Sequence, residues 1–141
     1  MVARSDYLKH LASVPLFAAL SQKDLQKLAK VSDEVTIEVG RELVQQGTTG
    51  RECYVIVEGE ADVIRGDQKV ATLGAGEAFG ELALLDGGPR TASVKAATNL
   101  TVLVLGQREF GGIIEEVPGI AHKIMANLAS KIRELDDKIY P

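Results

Sequence analysis

Residues Phe79-Gly80-Glu81-Leu82-Ala83-Leu84-Leu85-Asp86-Gly87-Gly88-Pro89-Arg90-Thr91-Ala92-Ser93-Val94 form the most informative stretch of this 141-residue chain. Gly80 lets the backbone approach closely whatever it faces. Glu81 to Leu85 are helix formers, enough for about a turn and a half. The start of so short a helix leaves N–H groups unpaired and partly positive, which suits an anion. Gly87, Gly88 and Pro89 then reverse the chain and return Arg90 toward that helix start. A guanidinium is planar and permanently charged, and it can grip a phosphate with two parallel hydrogen bonds. Glu81 beside an anion is repelled unless it has a donor of its own, and a ribose hydroxyl on the same ligand would supply one.

On either side of this stretch the glycines set the architecture. The chain has fourteen, none before Gly40, and ten fall between Gly40 and Gly88. A chain punctuated this often turns often, so its strands are short. Val35, Ile37 and Val39 alternate with polar residues, and Leu43 follows. Cys53 to Val57, Ala61 to Ile64 and Val70 to Leu73 read as further strands, with turns at Gly59 and Gly66. Ala92 to Ala96 and Leu100 to Leu105 read as a last strand pair. Helical periods flank this middle. Tyr7 to Ala12 is stopped by Pro15, and a second helix starts at Ser21, with Asp24 as its capping partner. After Gly106 a short helix carries Phe110, Ile113 and Ile114. A final one, about Gly119 to Ile139, spaces Ile124, Leu128, Ile132, Leu135 and Ile139 by 4, 4, 3 and 4. The expected fold is mainly β with flanking helices: a β-roll or jelly-roll barrel of about seven or eight antiparallel strands. One domain spans residues 1–141, with a helical lead-in at 5–31, the roll at 34–105 and C-terminal helices at 107–139.

Composition closes off other classes. A single cysteine, Cys53, excludes a disulfide framework, and two histidines exclude a histidine-rich metal cluster. The net charge of −4, with no basic cluster, is a poor grip for a nucleic-acid backbone. Pro15 interrupts the apolar run near the N-terminus, so a secretory signal is a weak match, and no stretch approaches a membrane span. The expectation is a cytoplasmic protein with no metal or cofactor and no membrane insertion.

The 79–94 stretch strongly resembles the phosphate-binding cassette of the cyclic nucleotide-binding domain family. The likeness extends over nearly the whole chain, through Val14-Pro15-Leu16-Phe17, Gln46-Gly47, Tyr54 to Gly59 and Gly76 to Gly80. The resemblance implies a β-roll with a lid helix and a cyclic mononucleotide ligand, cAMP first and cGMP second. It implies that Glu81 accepts from the ribose 2′-hydroxyl and that Arg90 pairs with the exocyclic phosphate oxygens. The Leu82 and Ala83 N–H groups would meet the phosphate, with Phe79, Gly80, Thr91 and Ala92 around them. By similarity to the gated channels of the family, Val63 and Ala71 flank the base, and Lys131, Ile132 and Leu135 are the lid. The family's usual acidic residue before the tyrosine strand is replaced by Thr48, Thr49 and Arg51.

Each residue also has a plainer role open to it. Arg90 could be a surface arginine, Glu81 a helix-start acid, Thr91 a strand hydroxyl, and Ile132 with Leu135 part of an ordinary apolar stripe. The expected function is a non-catalytic sensor whose C-terminal helices report the bound state to an effector that the sequence does not name. The alternative is the ligand-binding fragment of a larger cAMP-regulated transcription factor, channel or enzyme. No DNA-binding module follows the final helix before Pro141, which speaks against the transcription-factor version. An enzyme would need clustered metal ligands or a Walker-type loop, and neither motif is present. The 4, 3, 4 spacing of Leu128, Ile132, Leu135 and Ile139 suits either a homodimer seam or a lid.

Overall fold

The change from a helical period to a period of two near Val35 marks where helix gives way to sheet. The protein is described here by a computed structural model covering residues 4–140, so residues 1–3 and 141 of the expected domain lie outside the described residues. Helix α1 (Arg4–Ala12) gives way to a 3-10 turn (Pro15–Phe17), as Pro15 requires. Helix α2 (Gln22–Lys30) opens with a reciprocal cap. Ser21 Oγ accepts from the Asp24 N–H at 3.1 Å, and the Asp24 carboxylate accepts from the Ser21 N–H at 3.2 Å.

Eight strands follow: β1 (Asp33–Ile37), β2 (Glu42–Val44), β3 (Glu52–Glu58), β4 (Ala61–Arg65), β5 (Gln68–Leu73), β6 (Ala78–Phe79), β7 (Ser93–Ala96) and β8 (Leu100–Gly106). Helix α3 (Ala83–Asp86) stands between β6 and β7, and helices α4 (Gln107–Glu116) and α5 (Pro118–Ile139) follow β8. The strands form two four-stranded antiparallel sheets, ordered β1-β8-β3-β6 and β2-β7-β4-β5. The result is a β-roll, not a closed barrel. The tight turn expected at Gly66 is the β4–β5 hairpin, with Arg65 opposite Gln68 and Gly66 at φ +64°.

One expectation needs correcting. Strands β7 and β8 are not a pair: β7 lies between β2 and β4 in one sheet, and β8 between β1 and β3 in the other. The short link from Ala96 to Leu100 carries the chain from one sheet to the other instead of folding a hairpin. Strand β6, only two residues long, escaped the sequence pattern because so short a run has no period to detect.

The centre of the first sheet is buried on both faces, which is why β3 and β8 are almost continuously apolar, while β1 at its edge is largely exposed. Cys53, Val55 and Val57 of β3, with Leu103 and Leu105 of β8, face a helical layer that includes Leu11, Phe17, Leu28, Phe110, Ile120 and Ile124. The alternate residues, Ile56, Leu100 and Val102, face the interior of the roll with Val44, Phe79 and Val94. The second sheet leaves β5 largely exposed.

Candidate functional site

The backbone around the 79–94 stretch is fixed by glycine geometry and by a neighbouring loop. Gly80 has φ +78°, a conformation that L side chains avoid. A Cβ at this position would collide with Arg90 Nη1 and stand 2.8 Å from the Glu52 carbonyl oxygen. Gly87, at φ +64°, ends α3 by donating its N–H to the Ala83 carbonyl at 3.0 Å. The segment then runs antiparallel to the 47–50 loop. The Arg90 N–H donates to the Thr48 carbonyl at 2.7 Å, the Gly47 N–H to the Arg90 carbonyl at 2.9 Å, and the Gly50 N–H to the Gly88 carbonyl at 3.0 Å. Gly50 is buried, and a Cβ there would stand 2.8 Å from the Ala83 Cβ and 3.0 Å from the Arg90 guanidinium. The sequence hinted at this loop only as two glycines. Its pairing partner forty residues away could not be read locally.

This frame sets Arg90 in the wall of a cleft of about 430 Å³, a size suited to a small ligand. Arg90 Nη2 donates to the Glu52 carbonyl at 2.9 Å, and the guanidinium carbon lies 6.0 Å from the centre of the Tyr54 ring. Tyr54 in turn stacks on Phe79, with ring centres 5.0 Å apart. Arg90 Nη1 is buried without a hydrogen-bond partner among the described residues. A buried charged donor left unpaired costs free energy, and an anionic acceptor in the cleft would remove that cost. Glu81 lines the same cleft yet makes no ion pair with Arg90. One cation and one carboxylate thus share a cleft without neutralising each other.

The surroundings are apolar and hold protons tightly. Burial pushes the Cys53 thiol well above its usual range, and the charge of Glu81 adds to the effect while Arg90 opposes it. Burial also pushes the Tyr54 hydroxyl up to about 12, with the charge and hydrogen bond of Glu52 adding to the shift. Neither group is a nucleophile at neutral pH.

Of the residues singled out in the sequence, Phe79, Gly80, Glu81, Leu82, Ala83, Arg90, Thr91, Ala92 and Val63 all line the cleft. The Ala83 N–H is turned to the Gly80 carbonyl at 3.2 Å. Ala71 sits opposite Val63 on β5 but is exposed and does not line the cleft. Lys131, Ile132 and Leu135 lie on α5 and are not part of the lining, with Ile132 and Leu135 exposed. The cleft walls also include Val44, Asp86 and Val94, which the sequence did not single out. Glu52 and Tyr54, behind Arg90, were missed as its partners because a main-chain acceptor and a ring face leave no sequence signature.

The sequence model of the family described as the cyclic nucleotide-binding domain matches residues 34–117, from β1 to the end of α4. The chain belongs to that family. This cyclic nucleotide-binding domain is 36% identical over 132 residues to a cAMP-dependent protein kinase regulatory subunit of Mycosarcoma maydis, covering 85% of this chain and 25% of that one. It superposes with a TM-score of 0.85 on the crystal structure of the N-terminal domain of a transcriptional regulator from Streptomyces coelicolor A3(2). That alignment is 32% identical and covers 91% of this chain and 95% of the other. The regulatory domain of Toxoplasma gondii PKA, solved with cAMP, gives a TM-score of 0.72 at 28% identity, over 93% of this chain and 50% of that one. The chain spans between 24% and 59% of the length of the curated relatives it matches. Those relatives are regulatory subunits, a receptor protein and a gated channel. Among the described residues, no helix of the domain is long and apolar enough to cross a membrane.

Proposed function

We propose that this cyclic nucleotide-binding domain is a non-catalytic cytoplasmic receptor for cAMP, whose occupancy is passed on through α4 and α5. The observation that carries the proposal is that Arg90, whose buried Nη1 lacks a partner among the described residues, lines a cleft together with Glu81, which makes no ion pair with it. The cyclic phosphate satisfies the guanidinium, and Glu81 accepts from the ribose 2′-hydroxyl. Phe79, Leu82, Ala83 and Ala92 enclose the sugar-phosphate, with Gly80 leaving room for it, while Val63 and Thr91 stand nearer the base. Lys131, Ile132 and Leu135 reach the base only if the C-terminal half of α5 moves, so we assign them no contact in the conformation described. The non-catalytic role is supported by the relatives, which are named as regulatory subunits and a receptor protein.

Calorimetric titration of the full chain with cAMP, cGMP and a cyclic dinucleotide tests this directly. Mass spectrometry of any nucleotide that co-purifies complements it. Saturable one-to-one binding of cAMP, tighter than cGMP, is the expected result. No heat with either mononucleotide, from protein shown to be free of nucleotide, would remove the proposal.

A further inference from the structure

Arg90 is held in place without being neutralised. Among the described residues it has no carboxylate partner, so its charge stays free for an anion. What holds it is the start of β3. The Glu52 carbonyl accepts from Nη2 at 2.9 Å, and the guanidinium carbon lies over the Tyr54 ring, 6.0 Å from its centre. That ring is itself fixed twice. Tyr54 stands opposite Phe79 in the β3–β6 register, and the two rings stack at an interplanar angle of 12° with centres 5.0 Å apart. The Tyr54 hydroxyl, pushed up to about 12 chiefly by burial, keeps its proton and donates to the Glu52 carboxylate at 3.2 Å. Glu52 thus holds the guanidinium by its main chain and the ring by its side chain.

We propose that Tyr54 is the positioning residue for Arg90, setting the guanidinium for the phosphate of a cyclic nucleotide; the identity of that ligand rests on the receptor reading above. An arginine side chain has many rotamers, and Arg90 lies outside every strand and helix, so its own backbone does little to fix the fork. A carboxylate could fix it but would compete with the incoming phosphate. An aromatic face avoids that conflict. Its quadrupole attracts the cation, its apolar surface keeps water from one side, and the formal charge is untouched. Gly80 follows Phe79 directly, and its missing Cβ makes room for Nη1. Phe79 therefore steadies Tyr54, Tyr54 holds the guanidinium carbon, and the gap at Gly80 leaves Nη1, unpartnered among the described residues, for the ligand. Tyr54 does not line the cleft, so it acts through Arg90 and not by touching the nucleotide.

Calorimetry with cAMP on the parent, Tyr54→Leu and Tyr54→Phe reads the effect, with urea denaturation reporting the stability of each. Tyr54→Leu should weaken cAMP about tenfold, while Tyr54→Phe, which keeps the ring, should stay within about threefold of the parent. In an Arg90→Ala background, Tyr54→Leu should change affinity by less than about twofold, since the group it positions is gone. The ligand-free proteins give a second measurement by nuclear magnetic resonance. The Arg90 Nε–H proton, assigned by its loss in Arg90→Ala, should carry an upfield ring-current shift that Tyr54→Phe retains and Tyr54→Leu loses. Parent-like cAMP affinity in Tyr54→Leu, an equal loss in the Arg90→Ala background, or Tyr54→Phe as weak as Tyr54→Leu overturns the proposal. No ring-current shift in the parent overturns it too, and this holds even if Tyr54→Leu does not fold. A parent that binds no cAMP sinks the receptor reading instead, and the ring-current measurement then decides alone whether Tyr54 positions Arg90.

Discussion

Arg90→Ala separates a residue kept for its ligand from one kept for the fold. The substitution removes one satisfied hydrogen bond, Nη2 to the Glu52 carbonyl, worth about 1–1.5 kcal/mol. It also removes Nη1, a buried donor without a partner, whose presence costs about 1–3 kcal/mol in the ligand-free domain. The two effects oppose each other, so the ligand-free variant should match the parent to within about 2 kcal/mol. Binding has no such compensation. Losing the guanidinium leaves the phosphate unpaired in an apolar cleft and should weaken cAMP binding by about 2–5 kcal/mol. Thermal melts read both quantities. At a cAMP concentration of about 100 times Kd, the parent gains about 2.7 kcal/mol, roughly 10 °C for a chain of this size. With binding about 100-fold weaker, the same concentration gives the variant about 0.4 kcal/mol, roughly 1–2 °C. A variant that keeps the full cAMP-induced shift would show that Arg90 is not the anion anchor. A ligand-free variant destabilised by more than about 3 kcal/mol would show that the arginine holds the 47–50 and 88–90 segments together instead.

Other outcomes follow from neighbouring geometry. Gly80→Ala forces a side chain into φ +78° and against Arg90 and Glu52, so urea denaturation should show a loss of at least about 1–2 kcal/mol. Gly66→Asn, at φ +64° with open space around it, should be close to neutral in the same assay. Glu81→Ala should weaken cAMP by about 1–3 kcal/mol in calorimetry but leave a 2′-deoxy analogue almost unaffected; equal losses would disprove its role at the ribose. The Lys123 ammonium holds the Asp24 carboxyl below its usual range, so this pair stabilises the fold above the ordinary carboxylate pKa and ceases to do so as pH falls through the lowered one. Lys123 is partly exposed, so Lys123→Met should cost only about 0.5–1 kcal/mol at pH 7, and the gap from the parent should shrink below about pH 4 in urea titrations.

The cassette was legible because it is local: the glycine approach, the short helix, the reversal and the arginine occupy sixteen consecutive residues. The strands were legible where glycines bound them and alternation marks them, as at Val35 to Ile37 and Ala61 to Ile64. What stayed hidden was pairing between distant segments. Nothing in Ala92 to Leu105 says that its two strands belong to different sheets, since the alternation is the same in either. Nothing in Gly47 to Gly50 says that this loop is zipped to residues 88–90. The stripe on α5 was legible as apolar but not as exposed, because helix periodicity reports a face and not what covers it.

The anchor of Arg90 on Glu52 also ties the cleft to the strand end that carries α4. Glu52 is the first residue of β3 and lies opposite Gly106, the last residue before α4. The Arg51 carbonyl, one peptide unit earlier, accepts the N–H of Gln107, the first residue of α4, at 2.8 Å. Arg90 and the first residue of α4 thus hang on adjacent peptide units of one strand end. Under the proposed receptor role, a ligand that draws on the guanidinium would act one peptide unit away from the start of α4.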